Sequence, residues 1–381
     1  MHTFSLLITT SLLAGNAAAG QIPRHVDPAR QSAPADGWAG QKGGTQGGSG
    51  ALDANVFIVT SRSELLNAIA SNGASKIIKV GALIDMSDGK PYASSADQAE
   101  RGTVRLTSNT TLIGMGENAG FINGQIKLVG VSQVIVRNLR MRNPCDVAPL
   151  WDPADSGGGN WNALFDSIGI SNSQHVWVDH NSFTDAPYTD ENIAIVNGKR
   201  KQCHDGAVDV IRQSDFVTVS YNHFSLHEKN MLIGSSDRAD ADEGRLNVTI
   251  SNNLFDSIVA RNPRVRFGHV HLLNNYYAGN RKAPVYAHDY SIGVGKRAHI
   301  ISTNNAFEIA GALRCDEVVS NPGSSAPGGF SDAGSLLNGH ALGACSLAAE
   351  ADWSVPYSYL ARPAAQVKAW VLANAGAGKL P

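Results

Sequence analysis

The sequence predicts an all-β fold: a single-stranded right-handed parallel β-helix with an N-terminal capping helix, loop insertions that form a cleft, and a C-terminal helical segment packed on the flank. Three observations carry this reading. The first is a repeat: Val176-Trp-Val-Asp-His-Asn181-Ser-Phe183, Val217-Thr-Val-Ser-Tyr-Asn222-His-Phe224, Val248-Thr-Ile-Ser-Asn-Asn253-Leu-Phe255, Val270-His-Leu-Leu-Asn-Asn275-Tyr-Tyr277 and Ile300-Ile-Ser-Thr-Asn-Asn305-Ala-Phe307 share one pattern. The second is alternation within each copy, which excludes helical repeats. The third is composition, since 39 glycines and an aromatic share of 7% suit a turn-rich β protein.

Each copy is a short strand, then an asparagine, then an aromatic two residues later. Asn253 and Asn275 are 22 residues apart and the other gaps are longer, so loops are inserted between coils. One strand and one marked bend per turn is the signature of a solenoid. Stacking the coils places Asn181, Asn222, Asn253, Asn275 and Asn305 in a ladder whose amides satisfy one another, which makes them structural residues. Val134 to Leu139 and Thr110 to Gly114 are looser copies. The inserted loops gather on one side and build the cleft.

In chain order, residues 1–19 read as a secretory signal with an apolar centre at Phe4 to Leu13, cut after about Ala19. Residues 20–36 are polar and without period, and are expected to be a disordered lead-in. A single domain follows over 37–381. Gly43 to Gly48 lacks the Gly-Lys-Ser/Thr ending of a phosphate loop. Val56 to Thr60 reads as a strand, and Ser61-Arg62-Ser63-Glu64 as a capping box opening a helix with Leu65, Leu66 and Ile69 on one face. The repeat is expected to stop near Gly311, with 320–336 a loop. Ala364 to Ala373 returns to helical spacing through Val367, Trp370 and Val371. No segment after the signal is long and apolar enough to span a bilayer, so a soluble, secreted (extracellular) protein is expected, with no membrane partner. Export permits disulfides among Cys145, Cys203, Cys315 and Cys345; three pairings exist, and Cys315 with Cys345, bracketing a Gly/Ser-rich loop, is favoured.

A net charge of -2 argues against a nucleic-acid protein, so any anionic ligand must be met locally. Ala260 to Gly268 supplies the cations for that: Arg261, Arg264 and Arg266 surround Pro263. A strand there sends Val265 and Phe267 to one face and Arg264 and Arg266 to the other. A solvated edge with surface ion pairs is the plainer alternative. Asp166, in Asp-Ser-Ile-Gly-Ile, and Asp205 with Asp209, in His-Asp-Gly-Ala-Val-Asp-Val, converge if their coils are neighbours. Hard oxygen donors without clustered Cys or His favour calcium or magnesium over zinc. Asp179 and His180 read as a bonded structural pair, and His204 is not expected to be a ligand.

Val-Trp-Val-Asp-His at 176–180, His-Asp-Gly-Ala-Val-Asp at 204–209, His-Glu-Lys-Asn-Met-Leu-Ile-Gly at 227–234 and Arg-Asn-Pro-Arg-Val-Arg-Phe-Gly at 261–268 resemble the pectate lyases. Arg-x-Pro-x-x-Arg, filled by Arg261, Pro263 and Arg266, is the most specific of these matches. The resemblance implies calcium-dependent cleavage of polygalacturonate, the de-esterified pectin backbone, by β-elimination. It makes Asp166, Asp205 and Asp209 the Ca2+ ligands, Lys229 and Arg266 the substrate-binding cations, and Arg261 the catalytic base. Relatives often carry a further acid two residues before the first ligand, where this chain has Leu164. Arginine is an awkward base, since its free pKa exceeds about 12; crowding it with positive charge makes the neutral form less costly, and an alkaline optimum is expected. The chain is expected to work as a single copy. The alternatives are a pectin lyase acting on methyl-esterified polymer and a non-catalytic β-solenoid that binds an acidic glycan.

Overall fold

The computed structural model describes residues 27–380 apart from Ser325 and Ala348. The expected signal, residues 1–19, lies outside the described residues, as do residues 20–26.

The five marked asparagines form the predicted ladder. Each is fully buried, and the side-chain amide of each donates to the carbonyl oxygen of the next: Asn181 to Asn222, Asn222 to Asn253 and Asn253 to Asn275 at 3.0 Å, and Asn275 to Asn305 at 3.1 Å. The residue before each asparagine is left-handed, with φ of 53° at His180, 52° at Tyr221, 55° at Asn252, 53° at Asn274 and 47° at Asn304. That conformation turns the chain between two sheets. Asparagine tolerates it better than most residues, which accounts for the Asn-Asn pairs. Two residues on, Phe183, Phe224, Phe255, Tyr277 and Phe307 stack with ring centroids 4.4 to 5.2 Å apart.

Three parallel sheets follow from this coiling: two of ten strands and one of eight, the second closed by an antiparallel turn at its C-terminal end. In the first sheet Val178, Val219, Ile250 and Leu272 pair in register and are wholly buried, while Trp177, Thr218, Thr249 and His271 face outward under overlying chain. The core is thus a column of branched apolar side chains running the length of the solenoid. Helix α1, Arg62–Ala70, opens with Ser61 accepting from the Glu64 N–H. It sits at the N-terminal end, with Leu65 and Ala68 buried in the core cluster of the first coils. A short helix α2, Ser95–Arg101, precedes the first strand of the third sheet. Helix α3, Ala364–Asn374, lays Val367 and Val371 on Leu254, Tyr276 and Ala306 of the second sheet, as the helical spacing predicts.

Two expectations are corrected. The lead-in is not disordered where it is described. Ala29 is buried, Arg30 donates to the carbonyls of Ser49 and Ala51, and the buried Arg137 donates to that of Pro28. The repeat also does not stop at Gly311: Val319–Ser320, Gly329–Ala333 and Leu336–Leu337 join the three sheets as one more coil. Ser335 replaces the asparagine of that coil, accepting from the Asn305 N–H at 2.9 Å, and Leu337 replaces the aromatic. Both Cys315–Cys345 and Cys145–Cys203 are bonded.

Candidate active site

The long insertions leave the second sheet and enter the third, and they frame the outward face of the third sheet. Strands Ile168–Ser171 and Val208–Ile211 pair there with Gly169 opposite Asp209. Val208 and Val210 point into the core, so Asp209 must point out, and Asp166 joins it from the segment just before the neighbouring strand. A Cβ built on Gly206 would lie 2.7 Å from Asp209 Oδ1 and 3.1 Å from Asp166 Oδ1, so the two carboxylates face one another across that glycine. Asp166 accepts from the Gly206 N–H at 3.2 Å, and Asp209 from the Leu232 N–H at 2.9 Å.

Burial and crowding raise both acids. Desolvation pushes the Asp166 carboxyl up to about 6; Lys127 offsets part of the rise and Asp205 adds to it. Desolvation also puts Asp209 well above the ordinary range, reinforced by Asp166 and Asp205 and opposed by the Leu232 N–H and by Arg261. Carboxylates sharing one desolvated space destabilise each other unless a cation stands among them. An all-oxygen set fits a hard divalent ion, and calcium tolerates the irregular geometry best. Among the described residues, the three aspartates do not close to within 4.8 Å as a set, so they could offer an ion part of a coordination sphere but not a cage. The tighter group Cys145, Cys203 and His204 is no metal site, because the two sulfurs are bonded to each other. His204 faces the carbonyls of Pro144 and Tyr188 instead.

The cations arrive from the next coils. Lys229 ends the strand His223–Lys229 and stands opposite Ala260, and the Met231 N–H donates to the Arg261 carbonyl at 2.8 Å. The backbones of Lys229 and Arg261 are therefore neighbours although the two lie 32 positions apart in the chain. The backbone of Lys229 is fixed by His227, whose Nε2 is 3.1 Å from its carbonyl and whose Nδ1 is 2.8 Å from Asp185. Glu228, the sequence neighbour of Lys229, is taken by Gln202, and Lys229 has no acidic side chain in ion-pair range among the described residues. Arg261 adopts a left-handed φ of 67° at the bend, next to the buried Tyr290, whose phenol feels its charge.

Arg266 is less available than expected. It points away from Val265 and Phe267 as alternation predicts, but its Nε bonds Asp237 at 2.5 Å and its Nη1 the Gly234 carbonyl at 3.0 Å. Nη2 has no protein acceptor among the described residues. Arg264 is anchored to the Pro322 carbonyl at 2.9 Å. Asp179 and His180 lie in the first sheet, on another face of the solenoid, where Asp179 receives Arg137, His180 and Ser220. Their structural role holds. Sequence reasoning missed Lys127, whose Nζ is 3.2 Å from Asp166 Oδ2, and Asp237; the outward lysine in the alternating Gln125–Val129 strand was the signal for the first.

A family model described as pectate lyase matches residues 9–380. The chain belongs to the pectate lyase family. It is 39% identical to pectate lyase A of Dickeya chrysanthemi over 99% of this chain and 97% of that one. Pectate lyase of Bacillus subtilis is 33% identical over 91% of this chain and 92% of its own length. A solved pectate lyase bound to a hexasaccharide superposes with a TM-score of 0.87 at 32% identity, covering 93% of this chain and all of that one. These matches make the chain a polysaccharide lyase, and they agree with the parallel β-helix of its pectate lyase relatives.

Proposed function

We propose that this pectate lyase is a secreted, calcium-dependent enzyme acting as a single copy. It cleaves α-1,4-linked polygalacturonate by β-elimination and releases 4,5-unsaturated oligogalacturonides. The observation that carries this is that Asp166 and Asp209 face one another across Gly206, with Asp205 near enough to raise both carboxyls and Arg261 near enough to act on Asp209. Calcium, held by the three acids, would supply a fixed positive charge against a uronate carboxylate and so acidify the proton at C5. Lys229 approaches the same carboxylate as an unpaired ammonium, and Arg266 offers Nη2. Arg261 takes the C5 proton, the electron pair forms the C4–C5 double bond, and the C4–O bond to the neighbouring sugar breaks with its electrons on oxygen. Negative charge grows on the carboxylate during this step, where the cations already stand.

A pectin lyase would meet a neutral ester, and two buried acids raised chiefly by desolvation serve no purpose against one. The deciding experiment follows the ultraviolet absorbance of the unsaturated product on polygalacturonate, with and without a chelator. A rise that the chelator suppresses is expected. No rise at all refutes the lyase activity, and a chelator-insensitive rise on esterified pectin turns the reading to pectin lyase.

A further inference from the structure

The third sheet carries a row of outward residues that continues past the acids. Strands Thr103–Arg105, Gln125–Val129, Ile168–Ser171 and Val208–Ile211 pair so that Arg105 stands opposite Lys127, Lys127 opposite Gly169, and Gly169 opposite Asp209. Val104, Ile126, Ile168 and Val208 fill the core just before them, so this whole register faces outward. Gly169 is the gap in the row. A Cβ there would lie 2.9 Å from Lys127 Nζ and 3.3 Å from Asp166 Oδ2, so the lysine reaches the acids through the space this glycine leaves open.

Arg105, one coil further out, is exposed and has no hydrogen-bond or ion-pair partner among the described residues. An arginine held on a strand without a counter-ion, in line with a site for an anionic polymer, is a ready carboxylate receptor. The spacing suits such a polymer as well. Adjacent coils are about 4.8 Å apart, close to the length of one sugar residue in an extended chain, so consecutive uronates meet consecutive coils.

We propose that Arg105 and Lys127 form a uronate-binding extension of the cleft on the N-terminal side of the acids, and that the enzyme uses it to favour longer oligogalacturonates. This rests on the reading that polygalacturonate is the substrate. Lys127 serves both sides: it holds Asp166 and presents its ammonium at the edge of the extension. Arg105 has no side-chain hydrogen bond or ion pair among the described residues to confound its loss, which makes it the diagnostic residue.

The test measures binding of tri- and hexagalacturonate by calorimetry in calcium, using the turnover-deficient Arg261→Ala protein with and without Arg105→Ala. The ratio of hexamer to trimer affinity should fall about fivefold on loss of Arg105, the scale of one exposed ion pair. Arg105→Lys should recover most of it, and Arg105→Glu should lower the ratio further. An unchanged ratio in Arg105→Ala, with circular dichroism showing an intact fold, overturns the extension alone. Failure of the Arg261→Ala protein to bind either oligomer overturns the substrate reading and the extension together.

Discussion

The ammonium of Lys127 stands 3.2 Å from Oδ2 of Asp166, tying a strand of one coil to the acid group of the next. It is a resident positive charge beside the residues proposed to hold calcium. Replacing it with methionine removes a competitor for calcium and a counter-charge for Asp166. Lys127→Met should therefore bind calcium several-fold more tightly in calorimetry without substrate. In chelator the same variant should be less stable by about 1 kcal/mol, a difference that calcium abolishes. Equal calcium affinity in both proteins would show that the pair is electrostatically idle.

Asp166 carries a second expectation, about pH. Its carboxyl is pushed up to about 6 from an ordinary 3.8, so the folded protein holds this proton more tightly than the unfolded chain does. Without calcium, the contribution of Asp166 is therefore most favourable at low pH. It is lost as pH rises from about 4 through 6, by on the order of 3 kcal/mol. Asp209 shifts the same way. Thermal melts in chelator and in millimolar calcium should diverge as pH rises, the chelated protein falling behind. Parallel curves from pH 5 to 8 would remove calcium from this site.

Arg261 is the proposed proton acceptor, and its side chain lies beside the phenol of Tyr290. Arg261→Ala should lower kcat on polygalacturonate by about a thousandfold or more while the melting curve barely moves. Substantial turnover in that variant would reassign the base.

Asn253 is the centre of the ladder. Removing its side chain strips Asn222 of the oxygen that accepts from its N–H and its amide, and takes the side-chain donor from the Val219 carbonyl and from Asn275 Oδ1, which keeps only the N–H of residue 253. Asn253→Ala should cost about 3 kcal/mol or more in denaturant unfolding, since each orphaned buried group costs about 1 to 3. Asn253→Asp, which can accept but not donate, should fall between.

What was legible in the sequence is what repeats. The ladder residues and their stacked rings announce themselves because every coil needs the same bend, and Asp209 is assigned outward by its two valine neighbours. The last coil went unread because Ser335 and Leu337 do the work of asparagine and phenylalanine there without resembling them. The same substitution of type weakens the copy at Val134 to Leu139, where Leu139 and Met141 occupy the ladder positions. The lead-in misled for a different reason. It is held by guanidinium groups reaching backbone carbonyls, and no composition or period records such contacts. The constraint that Asp237 places on Arg266 was hidden likewise, because 29 residues of chain separate the two.

A column of parallel strands has no intrinsic length: the face that ends it looks much like the face that begins another. In this chain α1 lays Leu65 and Ala68 over the opening coil, and the reversed strand His340–Ala341 closes the far end of the second sheet. These stoppers cover strand edges and apolar interior that the terminal coils would otherwise leave open, which is how a repeating stack is given a fixed size.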